Sequence, residues 1–422
     1  MDVSRSTGSA GGERALVVGL GIAGMSSALG LTRAGWEVQI IERAPDRRTG
    51  GYFIGLSKEG FEAARYLGVV DELRTHTPES YSTWEIDRSN TRRRGMSFTE
   101  QPNHPEVVRR GDIELALWSG IEKSGITVRF DTVPVTIGSN ADEAVVRLTN
   151  RTTGETTDEV FDLVVGADGV RSTVRRLVFG PDSEFTEPLG RIICAFQLKE
   201  PPPETEPTDG LIIAEEKRAL WIFPFSDQPP TALFTYLPDN VDAQFRMHRG
   251  DALRHAYAGM MGDGVVRWAL DQFDQADNYL FDSVVKVTMP RWHHNRVVLV
   301  GDAAWCLTLY SGYGATAALH GGATLGKLLT EFDDIDLSLD EWERAVRPFI
   351  RGKGGPTALK SQLFVPSNRV AFVIRSVLLT YGVLPRLVRR IHWRQRVRAK
   401  ILRRLFGERA DAFPFMTPES GR

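Results

Sequence analysis

Residues 14–43 read RALVVGLGIAGMSSALGLTRAGWEVQIIER: an apolar run, a glycine-rich turn, an amphipathic stretch and a second apolar run. This order predicts a strand, a helix and a parallel second strand, the βαβ unit. The first glycine permits a tight turn, the second lets a pyrophosphate approach the backbone, and the third lets the helix pack on the strand. The helix N-terminus then offers unpaired N–H groups to phosphates, and an acidic residue ending the second strand suits a ribose hydroxyl pair. The stretch therefore predicts a dinucleotide site formed by Gly19, Gly21, Ile22, Ala23, Gly24 and Glu42.

Two later segments also end an apolar run at a glycine- and aspartate-containing turn. They are DLVVGADG at 162–169, with Asp168, and VVLVGDAA at 297–304, with Asp302. Such runs are typical of buried parallel strands, so we expect one parallel sheet built from distant pieces of chain. NAD alone leaves the remote Asp302 unexplained, whereas FAD extends its ribityl chain and flavin ring well past the pyrophosphate. Asp302 can accept ribityl hydroxyls, and the following helix N-terminus can favour negative charge near the flavin, so FAD is the predicted cofactor.

The segments between these strands have a different character. Residues 81–99 predict a hairpin around Asp87–Asn90, and alternating segments within 189–290 predict an inserted antiparallel sheet. From about residue 346 the pattern is helical. The predicted fold class is α/β: a Rossmann-type FAD-binding domain with an inserted antiparallel β-sheet substrate domain and a C-terminal helical segment. The predicted limits are a disordered leader at 1–12, FAD-binding parts at 13–80, 107–188 and 291–345, a substrate hairpin at 81–106, a substrate-binding sheet at 189–290 and a helical region at 346–422.

Composition narrows the functional class. The chain has 422 residues, 42% of them hydrophobic, and its net charge of −2 predicts no general affinity for nucleic acid. The first residues lack the apolar core of a signal peptide, and no apolar run reaches the ~18 residues of a membrane span, so we expect a cytoplasmic protein without a transmembrane segment. Cys194 and Cys306 lack a CxxC spacing and are expected to be free thiols. His293 and His294 are adjacent on a strand and point to opposite faces, so no metal site is expected.

The ordered turns resemble those of a known family. Gly-x-Gly-x-x-Gly with Glu42-Arg43, then Asp168-Gly169, then Gly301-Asp302-Ala303-Ala304 are similar to the motifs of class A FAD-dependent monooxygenases, the aromatic-hydroxylase superfamily, over about residues 14–345. The resemblance implies that Arg43 and Arg110 contact the cofactor, Arg110 at the pyrophosphate or ribityl region. It also places residues 49–56 beside the isoalloxazine and Val135 near the adenosine half.

The same resemblance implies the reaction. NADH or NADPH would reduce the flavin, and a flavin hydroperoxide formed with O₂ would hydroxylate or epoxidise a substrate held over the ring. The cofactor carries this chemistry while the protein supplies position and excludes water, so no catalytic base is predicted from the sequence.

The turn after Gly301-Asp302 departs from the family pattern. Leu307 and Leu309 replace the expected prolines, and Thr316 replaces the expected asparagine. Because prolines would stiffen this loop, their loss indicates an altered, more apolar surface where flavin meets substrate. The backbone beside the flavin is predicted to come from Gly312, Gly314 and Ala315.

A sizeable apolar substrate follows from this surface and from the aromatic residues of the inserted sheet. We expect a polyketide-like natural product and a monomeric or homodimeric enzyme. Most of the sheet aromatics are expected to be ordinary core. The alternative function is a non-redox cyclase of an antibiotic pathway, in which FAD is a scaffold and an apolar pocket holds a polyene for a Diels–Alder-type cycloaddition by proximity. The predicted substrate-pocket residues are Tyr310, Tyr313, Trp221 and Phe223.

The stretch LPRLVRRIHWRQRVRAKILRRLF (384–406) is basic and contains no acidic residue. Contact with an anionic membrane or with a phosphate-bearing carrier protein are two functional interpretations. The interpretation that we favour is a helix packed on the body of the protein with its basic face in water.

Overall fold

The computed structural model describes residues 12–47, 50–79, 82–86, 91–95, 105–260, 263–354 and 357–380. The strands in these ranges are β1 Arg14–Val18, β2 Glu37–Ile41, β3 Phe53–Leu56, β4 Thr83–Ile86, β5 Arg92–Arg94, β6 Glu106–Arg109, β7 Thr127–Arg129, β8 Thr132–Ser139, β9 Ala144–Asn150, β10 Thr156–Phe161, β11 Leu163–Gly166, β12 Thr186–Gln197, β13 Gly210–Glu215, β14 Arg218–Phe223, β15 Thr231–Tyr236, β16 Tyr279–Val287, β17 His293–His294 and β18 Val297–Leu299. The helices are α1 Ile22–Arg33, α2 Lys58–Leu67, α3 Arg110–Lys123, α4 Thr173–Val178, α5 Asp182–Phe185, α6 Val241–Arg246, α7 Arg249–Tyr257, α8 Asp263–Phe273, α9 Asp302–Trp305, α10 Gly314–Glu331, α11 Ile335–Gly354, α12 Thr357–Phe364 and α13 Arg369–Thr380. Two 3-10 turns lie at Val70–Glu72 and Leu309–Ser311.

The nucleotide-binding part is built on a parallel sheet. Its strand order is β17-β18-β11-β1-β2-β7, and every neighbouring pair is parallel except β17 with β18. β11 and β18 are buried along their whole length, as the apolar runs predict. The parallel sheet predicted from distant pieces of chain is therefore confirmed, and the glycine- and aspartate-containing turns all lie at the carboxyl ends of its strands.

Helices α1 and α10 cross at very short distance because glycines form the contact. A β-carbon added at Gly326 would lie 2.2 Å from the Gly30 carbonyl oxygen, and one added at Gly322 would lie 2.6 Å from the backbone nitrogen of Ser27. Side chains at these positions would force the helices apart. The glycine content of α10 therefore sets how closely the last cofactor turn approaches the first.

The second large sheet has the order β16-β12-β15-β14-β13-β4-β5 and is antiparallel except between β13 and β4. It includes the predicted hairpin as β4 and β5, and the main inserted strands as β12 to β16. Its alternating side chains form two cores. The face that we call the inner face carries Ala195, Trp221 and Leu233 and packs on Tyr310 of the second 3-10 turn. The opposite face carries Phe196, Phe234 and Leu220 and packs on α7 and α8.

Several elements were not predicted from the sequence. Helices α6, α7 and α8 lie between β15 and β16, within the stretch predicted as sheet. Strands β8, β9 and β10 form a separate antiparallel sheet. Helix α11 continues through residue 346, where the helical region was predicted to begin, and the compact units divide between Val365 and Pro366. The predicted domain limits stay predictions.

Some predictions fall outside the described residues. These are the leader except its last residue, the hairpin turn Asp87–Asn90 and the basic stretch 384–406. Within the described ranges, no helix is both long and apolar enough to cross a membrane.

Candidate cofactor and substrate site

The turn between β1 and α1 packs tightly on one side and is open on the other. Gly19 has a φ of 108°, and a β-carbon there would lie 2.6 Å from a carbonyl oxygen just beyond β11. A β-carbon at Gly24 would lie 1.9 Å from the Gly19 carbonyl oxygen. At Gly21, by contrast, it would meet no described atom within 4 Å. The backbone entering α1 at Ile22 and Ala23 can therefore be approached closely by a ligand, as a pyrophosphate requires.

Glu42 follows β2 and ties that strand to the glycine turn. Its two carboxylate oxygens accept the backbone N–H groups of Leu20 and Ala44, each at 2.9 Å. A carboxylate oxygen can accept more than one hydrogen bond, so both keep capacity for ribose hydroxyls. Arg43 is exposed beside Glu42, and Val135 lies in β8 with 45% of its surface exposed. The cofactor contacts of Glu42, Arg43 and Val135 stay predictions.

The carboxylate of Asp168 is engaged by the start of α4. Oδ1 accepts the Ser172 hydroxyl at 2.5 Å, and Oδ2 accepts the backbone N–H groups of Thr173 at 2.6 Å and Val174 at 3.2 Å. Burial raises the pKa of the Asp168 carboxyl above its ordinary value, although these hydrogen bonds favour the charged form. In the structure Asp168 thus fixes the turn after β11, and its predicted contact with the cofactor stays a prediction.

Arg175, which the sequence analysis missed, joins this turn to the one after β18. Its fully buried guanidinium donates to the carbonyl oxygens of Ala303 at 2.9 Å and Val170 at 2.7 Å. It also donates to Asp182 Oδ1 at 2.6 Å. The only signal in the sequence was that Arg175 lies three residues after Ser172, the N-cap of α4. This signal does not reveal the contact with Ala303, which is remote in the chain. Arg175 therefore connects two of the three predicted cofactor turns.

Asp302 begins α9 on top of the first turn of α1. Gly301 before it has a φ of 67°, and an added β-carbon there would lie 2.6 Å from the Ala23 β-carbon. Asp302 is exposed to solvent, although many protein atoms surround its carboxyl group. Desolvation by these atoms raises the pKa of the Asp302 carboxyl, against the opposing effects of Arg110 and the Cys306 thiol. The structure thus brings Asp302 close to the glycine turn of the βαβ unit.

Arg110, the first residue of α3, brings a cation to the same place. Its backbone N–H donates to the Tyr52 carbonyl at 3.0 Å, and its Nη2 lies 2.8 Å from Glu114 Oε1. Burial tends to lower the pKa of the guanidinium, but Tyr52, Glu114 and Asp302 outweigh burial and raise it. Arg110 and Asp302 are therefore close enough to interact electrostatically, as a charged donor and a charged acceptor.

The loop after α9 combines strain with open backbone. Thr308 has φ 64° and ψ 157°, a region that residues other than glycine rarely adopt, and its buried Oγ1 has no hydrogen-bond partner among the described residues. Gly312 has a φ of 74°. Added β-carbons at Gly312 or Gly314 would meet none of the described atoms within 4 Å. The backbone that leads through Ala315 into α10 can therefore lie directly against a flat ligand.

The predicted substrate-pocket aromatics divide between two cores. Tyr310 and Trp221 are buried on the inner face of the large antiparallel sheet, and both rings contact Phe364. Phe223 on the same face stacks on Phe53 with ring centroids 4.5 Å apart. Tyr313 instead packs with the core of the nucleotide-binding part. The pocket role of these residues stays a prediction, and Trp221 at least also serves as sheet core.

Another connection that the sequence analysis missed is His76. Its Nδ1 lies 2.7 Å from Asp227 Oδ1 and its Nε2 lies 2.6 Å from Asp112 Oδ2. Asp227 lies in the loop after β14 and Asp112 in the first turn of α3, so the buried histidine links the large sheet to the helix that carries Arg110. A single histidine far from both aspartates in sequence gives no signal for such a link.

Metal chemistry receives no support from the described residues, in which no group of three or more His, Cys, Asp or Glu side chains is placed to hold an ion. The site instead has the features of a Rossmann-type flavoprotein: a glycine turn open to a pyrophosphate, a carboxylate and a guanidinium beyond it, and an exposed helix start. These features fit FAD.

Comparison with known proteins identifies the family. Residues 13–334 match the FAD binding domain family, so the chain belongs to that family, and its relatives include flavin-dependent monooxygenases. The chain is similar to the FAD-dependent monooxygenase asL4 of Sarocladium schorii, at 27% identity over 74% of this chain and 74% of the relative. It is also similar to the uncharacterized protein Rv1260 of Mycobacterium tuberculosis, at 28% identity over 79% of this chain and 90% of the relative.

Solved structures show the same fold. The crystal structure of the tetracycline destructase Tet(51) matches with a TM-score of 0.69 at 21% sequence identity, over 88% of this chain and 96% of that chain. The expected fold class and family are confirmed by these comparisons.

Proposed function

We propose that this protein is an FAD-dependent monooxygenase that hydroxylates or epoxidises a large, mainly apolar molecule, with NADH or NADPH as reductant. The observation that carries the proposal is the arrangement at the start of α10. There the open backbone of Gly312 and Gly314 follows directly after Tyr310, which packs on the apolar inner face of the large sheet. A flat cofactor on that backbone would lie next to an apolar wall.

Residues of this chain would bind FAD through three groups of contacts. Gly19 and Gly21 would receive the pyrophosphate at the N-terminus of α1, and Glu42 would accept ribose hydroxyls. Asp302 would accept hydroxyls of the ribityl chain, while Arg110 would supply positive charge to the phosphate or ribityl region. When bound and reduced, FAD supplies the activation of O₂.

The protein would contribute position and exclusion of water rather than an acid or base. Helix α10 is 18 residues long, and its N-terminal dipole favours negative charge at the edge of a flavin placed there. The inner face of the large sheet, with the partly exposed Phe223 stacked on the buried Trp221, would hold an apolar substrate and keep water away. A polyketide-like compound has the size and polarity that such a wall suits.

The test is anaerobic stopped-flow reduction of the purified holoenzyme, followed near 450 nm, with NADH and with NADPH. Candidate polycyclic and polyene compounds are added in parallel. Bleaching by one nicotinamide, return of the oxidised spectrum on admission of O₂, and a product heavier by one oxygen atom would support the monooxygenase. A flavin that neither nicotinamide reduces, with or without these compounds, would contradict it.

The alternative is the cyclase, in which the same apolar wall would fold a polyene for cycloaddition while FAD stays oxidised. One observation favours the cyclase. Thr308 has a strained backbone and lies between Leu307 and Leu309, which replace the prolines that the family resemblance leads us to expect. Consumption of a polyene without change of mass and without bleaching would support this alternative. We further propose a cytoplasmic location and a monomeric or homodimeric state. Gel filtration of the holoenzyme tests the oligomeric state.

A further inference from the structure

Arg191 of β12 is a buried cation without a counterion. Only 7% of its surface is exposed, and its buried Nε has no hydrogen-bond partner. Within the part of the chain that the structure describes, no carboxylate lies within 4.0 Å of its guanidinium and no carbonyl oxygen accepts from it. A guanidinium carries five N–H donors, and the Nε–H of Arg191 is buried without an acceptor, which is costly.

The position of Arg191 points to the substrate side of the molecule. Along β12, Ile193 and Ala195 face the inner side of the large sheet, and Arg191 precedes them at the same alternation. Its guanidinium carbon lies 5.7 Å from the centroid of the Tyr310 ring. Tyr310 in turn lies two residues before Gly312 and its open backbone. Arg191 therefore lies on the apolar wall beside the proposed flavin site.

A purely structural role does not account for this arrangement. The contact with the Tyr310 ring attracts the cation, but it satisfies none of the five donors. Arg175 shows what a structural buried arginine looks like in this chain, because its guanidinium donates to two carbonyl oxygens and to Asp182. Arg191 has no such set among the described residues, so its guanidinium is available to an acceptor from outside the protein.

We propose that Arg191 binds an ionised oxygen group of the substrate, a carboxylate or a deprotonated enol, while the apolar wall holds the remainder of the molecule. A guanidinium presents parallel N–H donors that match two oxygens of such a group. This inference rests on the proposed substrate site, but it requires binding only and no redox step. The apolar wall alone predicts a neutral substrate, whereas Arg191 predicts a substrate that also carries a negatively charged group.

The experiment measures binding to the oxidised holoenzyme. The ligands are 2-naphthoate, 2-anthroate and laurate, each beside its primary amide, and the readouts are perturbation of the flavin spectrum and quenching of tryptophan fluorescence. We expect at least one acid to bind about tenfold to a hundredfold more tightly than its amide, the range that a charge-assisted hydrogen-bonded pair supplies. In Arg191→Gln this preference should disappear with little change for the amide, and Arg191→Lys should restore part of it.

Arg254→Gln is the matched control, because Arg254 is an exposed arginine of α7 that pairs with Asp271 and Asp274 away from the inner face. It should keep the acid preference. Thermal unfolding of the ligand-free Arg191→Met variant gives an independent readout: removal of a buried unpaired charge should leave its Tm equal or higher. An unchanged acid preference in Arg191→Gln, whatever the Tm of Arg191→Met, or no acid preference in the wild type would overturn the proposal. The two proposals can fail separately. If Arg191→Gln loses the acid preference while neither nicotinamide reduces the wild-type flavin, the role of Arg191 in binding stands and the monooxygenase is rejected.

Discussion

The hydroxyl of Tyr310 lies 3.0 Å from the hydroxyl of Thr235, and this hydrogen bond joins the loop beside the proposed flavin site to the centre of the large antiparallel sheet. Both residues are buried. The position of the loop relative to the apolar wall therefore depends on a polar contact inside an otherwise apolar cluster, where an unpaired hydroxyl is costly.

Replacement of Tyr310 by phenylalanine removes this contact. We expect Tyr310→Phe to lower the free energy of unfolding by about 1 kcal/mol, since it leaves the Thr235 hydroxyl buried without its partner. Urea denaturation followed by circular dichroism measures the change. Thr235→Val should cost a similar amount, and the double variant should cost less than the sum of the two, by roughly 0.5 kcal/mol or more. Strict additivity would show that the two hydroxyls do not interact.

Replacement of Asp302 by asparagine tests the ribityl contact. We expect Asp302→Asn to weaken FAD binding by about tenfold to a hundredfold, because a neutral amide is a poorer acceptor than a carboxylate and Arg110 loses its nearby anion. The measurement is the flavin content after gel filtration, with a titration of the apoprotein by FAD. Asp239→Asn, at a fully exposed side chain, is the control and should retain its flavin. A full flavin load in Asp302→Asn would place the ribityl chain elsewhere.

The pair of Asp182 with Arg175 predicts a pH dependence of stability. Burial tends to raise the pKa of the Asp182 carboxyl, but hydrogen bonds from Arg175 and Arg176 outweigh burial and hold the pKa below 3.8. A lowered carboxyl pKa stabilises the fold above the ordinary value, and this stabilisation is lost as the pH falls through the lowered one.

At pH 7 we therefore expect Asp182→Asn to lower the free energy of unfolding by roughly 1–3 kcal/mol. The value is modest because Arg175 keeps its two carbonyl partners and Asp182 is partly screened by water. The difference from the wild type should narrow below about pH 4. Denaturant unfolding at a series of pH values measures it, and a difference that does not change with pH would contradict the ion pair.

The contact of α1 with α10 predicts opposite effects for two glycine-to-alanine changes in helices. Gly326→Ala places a methyl group against the Gly30 backbone and should lower the free energy of unfolding by about 2 kcal/mol or more. Gly352→Ala in α11, where an added β-carbon meets none of the described atoms within 4 Å, should raise it by about 0.5–1 kcal/mol. Urea unfolding of both variants measures the contrast, and equal effects would argue against the close helix crossing.

The sequence predicts those parts of the fold whose cause is local. The turn at Gly19–Gly24 and the strand ending before Asp302 carry their conformational requirements in adjacent residues, so their place at the carboxyl ends of parallel strands was predictable. The order of apolar runs also predicts that these strands share one sheet.

Other features depend on partners that meet only after folding. In the sequence, Gly322 and Gly326 are expected only to weaken a helix, and their packing role follows from the contact with α1. His76 links two parts of the fold only because folding places it between Asp112 and Asp227. The unpaired state of Arg191 is likewise invisible in the sequence, because a strand of alternating residues does not show whether an acceptor lies opposite. The three helices between β15 and β16 were missed because the stretch around them was interpreted as sheet throughout.

The close crossing of α1 and α10 also bears on when the protein can acquire its cofactor. A ribosome releases the chain from its N-terminus, so β1, the glycine turn and α1 emerge early. Until α9 and α10 have been synthesised, the first turn of α1 has no Asp302 beside it and Gly30 has no partner helix. FAD capture should therefore be a late event of biosynthesis, and a nascent chain stalled before α9 should carry no flavin even though its βαβ unit is complete.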